Sequence, residues 1–444
     1  MRRATYLSVS VLRTVRRFTP DYRQALAKND ILILGMWRRW SKVDDVTGVQ
    51  LTIRDVVVDI RRRAAAAGNS GIRIAKYTAI NESSSDPSSG ASRERWEKLH
   101  SEIGPGYPIN NDWWARTKDG EHTSSWPGQW HVNLTEYVQR DRNGDTYPEW
   151  AVQTDYEVFF RDTPEFDMWF FDNWFYRPRV TADWDGDGSN DDRNSESVRG
   201  DFRQGYMNAL RRVRQLAPNL IVMGNVNGEV STISGMLTEP EYKGQLSALY
   251  EGAIGLSWSA EEWGGWEHMM QQYRITASNA QHNLILITVH GREDDYATMR
   301  YGLASCLMDN GYYYYTSIEN RYKSALWFDE YDVDLGRAID PPQFNAWQNG
   351  VYMRRFEKGM ALVNPKGNGT RTAQVGLGYK HISGTQQDPS VNNGQPVETV
   401  ISSERDGLIL IGTDAVDEGK RPKAMVLIVV DPSLVQGLRP GTCI

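Results

Sequence analysis

The sequence predicts an α/β fold, a (β/α)8 barrel followed by a small antiparallel β-sandwich, and three observations carry the prediction. Short continuous apolar runs such as Ile31–Leu34, Met168–Phe171 and Leu284–Val289 are bounded by polar residues. That is how strands buried on both faces of a parallel sheet read. These runs alternate with stretches of helical periodicity, the pattern of repeated βα units. From about Gly350 the texture changes to short strands separated by Asn, Gly and Pro, as in an antiparallel sandwich.

Taken in order, Thr5–Leu12 alternates and is a candidate first strand, and a helix over Asp21–Lys28 leads into the second strand at Ile31–Gly35. The helix at Ile53–Ala67 stops at Gly68-Asn69, and Ile72–Tyr77 is the third strand. Residues 81–150 form a polar insertion with Trp113, Trp114, Trp126 and Trp130, too long to be a plain connector. The fourth strand, Phe166–Asp172, stops on a carboxylate followed by Asn173, and a second insertion covers 177–196. Phe202, Tyr206, Ala209, Leu210 and Val213 then keep helical spacing up to Pro218. Leu220–Asn225 is the fifth strand, Leu246–Ile254 the sixth and Leu284–Val289 the seventh, with helices at Trp266–Ala280 and Tyr296–Asp309. Gly311–Tyr315, nearly all tyrosine, is the eighth. The expected domains are therefore a barrel over 1–349 and a sandwich over 350–444, with strands at Gly359–Val363, Thr372–Leu377, Thr399–Ser402, Gly407–Ile411 and Ala424–Val430. A doubly wound sheet is the competing arrangement, but no Gly-rich phosphate loop follows any strand.

Composition narrows the partners. A net charge of -7 argues against a nucleic-acid surface, and no dense basic block lies beyond Arg2–Arg17. No apolar run approaches membrane-spanning length, and two cysteines, Cys306 and Cys443, make no disulfide framework. Sixteen Trp and 22 Tyr supply faces that suit sugars, although such side chains also fill cores. Composition leaves the oligomeric state open.

Asp172 and Glu251 are the expected catalytic pair, two carboxylates at the carboxyl-terminal face of one barrel, suited to glycosidic bond cleavage. Glu229, beyond the fifth strand, is the reserve acid, and Glu261 and Glu262 are weaker candidates. Asn173, Asn225 and His290 each follow or close a predicted strand and are placed to bind substrate, with Trp37, Tyr77 and Trp258 as aromatic contributors. The plainer roles are a strand-end cap for Asp172, an arginine partner for Glu251, and turn residues for the rest. Asp183, Asp185, Asp187 and Asp191 alternate as in the front half of a calcium loop, with Asn194 where a closing Glu would stand. Asp141, Asn143 and Asp145 form a shorter version that is expected to meet the first at one rim. The expected cofactor is thus structural Ca2+, with no organic cofactor; two Asp/Gly-rich solvated turns are the alternative. No HExxH or similar cluster speaks for a catalytic zinc.

Several segments are similar to the hypothetical glycosyl-hydrolase-like barrels of bacteria. They are Asn111–Trp114 with Asp119-Gly120 and Trp126–Gly128, Phe166–Asn173, Trp327–Tyr331 with Asp334–Gly336, Arg354–Gly359, Val363–Pro365 and Arg405–Leu410. The resemblance covers most of the chain. It implies a carbohydrate-active barrel with acids on strands four and six, matching Asp172 and Glu251, and a carbohydrate substrate. It also implies a secreted or cell-surface location, for which no leader is visible in the sequence. A non-catalytic carbohydrate-binding protein on a decayed barrel is the alternative function.

Overall fold

The computed structural model describes residues 3–8, 17–35, 42–44, 46–85, 113–141, 143–174, 177–225, 252–279, 284–317, 326–384, 391–414 and 425–430. Nine parallel strands are numbered here in chain order: β1 Arg3–Ser8, β2 Ile31–Leu34, β3 Arg73–Ala79, β4 Met168–Asp172, β5 Ile221–Asn225, β6 Gly252–Ser257, β7 Leu284–Gly291, β8 Tyr312–Ser317 and β9 Met425–Val430. The helices are α1 Pro20–Ala27, α2 Ile53–Ala66, α3 Tyr147–Asp155, α4 Glu196–Leu216, α5 Trp258–Asn279 and α6 Tyr296–Leu307, α5 being broken at Gly265. The hydrogen-bonded order runs β1-β8-β7-β6-β5-β4-β3-β2-β9, and β1 bonds to both β8 and β9. Every residue of β2, β4 and β8 is buried, which is why their sequences show no alternation.

The helices form where the sequence supplies caps and an apolar stripe. Thr52 and Asp55 close a capping box on α2, and Ser195 accepts from the Val198 amide at the start of α4. α4 buries Phe202, Tyr206, Ala209, Leu210 and Val213 against the aromatic layer of β4, where Trp174 and Tyr206 lie 4.2 Å apart.

Two expectations need correction. Gly359–Asn364, Asp406–Gly412 and their neighbours Tyr352–Phe356, Arg371–His381 and Pro396–Ser402 make one five-stranded antiparallel sheet. Among the described residues no second sheet covers it; helix α6 does, with Tyr301, Ala304 and Leu307 packed with Ala361, Val363 and Ile409. The 350–444 boundary fails as well, because β9 leaves that unit and inserts between β1 and β2, Val426 pairing with Ala4 on one side and Ile31 on the other. Met425-Val-Leu-Ile-Val-Val is continuously apolar, as strands within a parallel sheet commonly are. The sixth strand is described from Gly252 to Ser257, and residues 246–251 of the expected strand lie outside the described residues.

Candidate active site

The carboxyl ends of β3, β4 and β5 lie side by side, with Ala79 opposite Asp172 and Gly224 opposite Phe171. Along β4, Trp169 and Phe171 face the helices, so Phe170 and Asp172 face the other way. Trp169 donates to Thr78 on that outer side at 3.0 Å, and Phe170 meets the Tyr77 ring at 5.8 Å on the inner one. Asp172 is therefore buried at 3% exposure. Its two oxygens are separately held: Tyr77 donates its hydroxyl to Oδ2 at 2.6 Å, and Asn225 donates Nδ2–H to Oδ1 at 2.8 Å. Burial raises the Asp172 carboxyl above its usual range, while these two donors, the Asn173 amide and the Arg179 charge pull it back.

Asn173 turns the chain sharply, with φ 53°, in the left-handed region that Asn tolerates better than most residues. Its carbonyl accepts from Asn81 Nδ2 at 3.1 Å and from the Tyr206 hydroxyl at 2.9 Å, and its side chain donates to Glu82 Oε1 at 2.8 Å. Glu82 opens a short strand, Glu82–Ser84, paired antiparallel with Gln129–His131. The Trp126 indole N–H donates to its other oxygen, and the Arg179 guanidinium lies 4.4 Å above the Trp126 ring. Burial first, and the Asp172 charge second, push the Glu82 carboxyl up to about 7. His131, opposite Glu82, is lowered to about 4 by burial and by Arg179, and its Nε2 lies 2.8 Å from Ser125 Oγ.

The structure thus joins Tyr77, Asp172, Asn173 and Asn225 and adds Glu82, Arg179 and His131, which the sequence reading did not select. Glu82 stands just past the end of β3, as Asn173 and Asn225 stand at the ends of their strands, but in the sequence it merges with the 81–150 insertion. Trp258 opens α5 directly after β6, and His290 is the penultimate residue of β7, paired with Thr316. Trp37, Glu229 and Glu251 lie outside the described residues. Glu261 is buried against Arg405 at 3.3 Å, and so serves the contact with the C-terminal sheet.

The acidic loops separate. Carboxylate oxygens of Asp183, Asp185 and Asp187 lie within 4.8 Å of one another, and no other such group is found among the described residues. Asp191 instead accepts from the Trp184 amide at 2.7 Å. Its carboxyl is raised, by burial first and then by Asp185 and Asp183. Asp145 is paired with Arg212 on α4 at 2.6 Å, and Asp141 accepts the Asn143 amide at 2.8 Å and the Asp145 amide at 3.1 Å. The shorter loop does not join the first group, because its own amides and Arg212 take up its carboxylates. The two insertions do meet elsewhere, where the Asp183 amide donates to the Arg116 carbonyl at 2.8 Å and Asn190 Oδ1 accepts the Lys118 amide at 2.7 Å.

Among solved structures, the chain is similar to an α-galactosidase of glycoside hydrolase family 36, AgaA from Geobacillus stearothermophilus, in complex with raffinose. The identity is 9% over 92% of this chain and 54% of that one, with a TM-score of 0.43. It is also similar to the glycoside hydrolase domain of PelA from Pseudomonas aeruginosa (13% identity, 73% and 96% covered, TM-score 0.40). A family GH13_31 enzyme is similar at 11% identity, with 92% and 90% covered and a TM-score of 0.43. The chain spans about half the length of the α-galactosidase. No curated protein matches the sequence. The profile of one sequence family runs over residues 69–360, from just before β3 into the C-terminal sheet, and takes in Glu82, Asp172 and Asn225. On that match, this chain belongs to the hypothetical glycosyl hydrolase family 15.

Proposed function

We propose that the protein is a glycoside hydrolase of poly- or oligosaccharides, built on a glycosidase-type (β/α)8 barrel with β9 as an additional strand, and that Asp172 is its nucleophile or base. The observation that carries this reading is a buried carboxylate at the carboxyl end of β4 with each oxygen held by one donor. Two charge-assisted hydrogen bonds favour the anion in a dry setting and fix its direction, which a nucleophile or base requires. The proton donor in this reading is Glu251, with Glu229 in reserve, and Asn173, His290, Trp37 and Trp258 are the candidates for binding the sugar. The family supports the chemistry; the sugar and its linkage come from the assay.

The test is a reducing-end and product screen over a broad polysaccharide panel, with wild type beside Asp172→Asn and Glu251→Gln and folding checked by melting temperature. Loss of roughly 10²–10⁴-fold in activity in each folded variant is expected. Activity that survives Asp172→Asn overturns the assignment, and sugar binding without turnover in wild type favours the non-catalytic alternative.

Structural Ca2+ at Asp183, Asp185 and Asp187 is proposed alongside. The donor set is oxygen only, as calcium prefers, and Asp183 Oδ1 is buried without a hydrogen-bond partner among the described residues. The ion would neutralise the loop and tie the second insertion down; no catalytic step passes through it. Chelation with EGTA is expected to lower the melting temperature, with recovery on adding Ca2+ but not Mg2+. No shift would mean that the loop's own amide bonds, such as Gly188 to Asp183 at 3.0 Å, suffice.

A further inference from the structure

The carboxylate that sequence patterning overlooked has no assigned part in the two-acid reading. Glu82 is almost wholly buried, at 7% exposure, and each of its oxygens has a donor. A carboxyl in such a place is costly unless it has a task. One of its donors is the side chain of Asn173, which follows Asp172 directly and holds a backbone conformation unfavourable for a residue with a side chain. Three contacts pin that turn: Asn81 and Tyr206 on the carbonyl, and Glu82 on the amide. The Glu82 contact is the one whose partner titrates. The charged and titratable groups around Glu82 are Asp172 at the end of β4, Arg179 in the loop after it, and His131 on the opposite strand. His131 stays neutral at physiological pH, so two acids share the cation of Arg179.

We propose that Glu82 is a positioning residue for Asp172: it clamps the Asn173 turn and shares a single negative charge with the Asp172 carboxyl, so that the pair works as a monoanion. Two carboxylates in one low-dielectric pocket do not ionise independently, and their protons belong to the pair. Asp172 receives Tyr77, Asn225 and the Asn173 backbone amide, three donors against the two on Glu82, and is the better stabilised anion. Glu82, pushed up to about 7 by burial and by the Asp172 charge, keeps its proton through the acidic range. Asp172 then ionises beside a neutral neighbour. Asn173 Oδ1 has no hydrogen-bond partner among the described residues, and rotating that amide would let it accept the Glu82 proton. The clamp can therefore serve both protonation states. The catalytic consequence rests on the reading of Asp172 as the reacting carboxylate; the charge sharing does not.

The experiment follows from proton linkage and needs no substrate. Folded Glu82 holds a proton that the unfolded chain has already released between the usual glutamate range and pH 7, so Glu82 lowers stability increasingly across that window. Melting temperatures of wild type, Glu82→Gln, Asp172→Asn and the double variant are compared at pH 5 and pH 8. The difference between Glu82→Gln and wild type is expected to shift in favour of the variant by roughly 2–4 °C between these pH values. In the Asp172→Asn background the same difference is expected to shrink. A merely structural role would give one offset at every pH. Parallel pH profiles, or a difference unchanged by Asp172→Asn, overturn the proposal. If Glu82→Gln does not fold, difference proton titration of wild type against Asp172→Asn reads the same coupling: a proton released near neutrality must move to lower pH in the variant. Asp172→Asn that retained hydrolysis would overturn the catalytic reading alone and leave this measurement interpretable.

Discussion

At the scale of the residue, Asp172 is defined by what donates to it. A buried carboxyl with no donors would stay protonated and be a poor nucleophile; here Tyr77 and Asn225 offset part of the burial cost. Tyr77→Phe removes one donor with little change of shape. The Asp172 carboxyl is expected to rise further, because the lost hydrogen bond had favoured its charged form. The low-pH limb of the kcat/KM profile should then move to higher pH, and stability should fall by about 1–3 kcal/mol. A limb that stays where it is in wild type would remove Tyr77 from the site. Asp172, Asn173 and Asn225 were legible in the sequence because polar residues closing an apolar run mark a strand end. Glu82 was not, because the strand before it is half polar and the insertion after it hides the boundary.

At the scale of the element, α4 shows how closely the frame around the site is built. A Cβ added at Gly205 would stand 2.0 Å from the Leu134 carbonyl oxygen, so the helix can lie against the first insertion only with glycine there. The next residue, Tyr206, bonds the Asn173 carbonyl, so a shift of α4 reaches the turn that follows Asp172. Gly205→Ala, ordinarily favourable in a helix, is expected to destabilise here by about 1–3 kcal/mol. Chemical denaturation would measure it, and an unchanged or higher midpoint would contradict the close approach. The position of α4 was readable from its spacing; its contact with Leu134 was not, since nothing local signals which backbone a glycine must admit.

At the scale of the whole molecule, the C-terminal part of the chain takes part in two structures. Its sheet is tied to α6 by Arg300, which is 3% exposed at its side chain and pairs with Asp406 at 3.0 Å, and to α5 by Arg405, which pairs with Glu261. Gly407 lies so close to the helix that a Cβ would meet the Arg300 carbonyl at 2.4 Å. Beyond that sheet, β9 returns to bond β1 and β2. Deleting residues 413–444 would therefore leave β1 and β2 each unpaired along one edge, with backbone groups that must be satisfied. Loss of the cooperative melting transition is expected in calorimetry, whereas an appended module ending at Gly412 would tolerate the cut with an unchanged transition.

The sequence by itself determined the α/β class, the identity and order of most parallel strands and their helices, the change of texture near Gly350, and the strand-end placement of Asp172, Asn173 and Asn225. All of these rest on local signals: hydrophobic period, caps, and polar residues at the ends of apolar runs. Only the tertiary structure decided where β9 pairs, that the C-terminal sheet is covered by α6, that Asp145 belongs to Arg212, and that Glu82 meets the Asn173 turn. Each of these joins residues far apart in the chain, and an apolar run or a carboxylate reads the same whichever partner the fold brings to it.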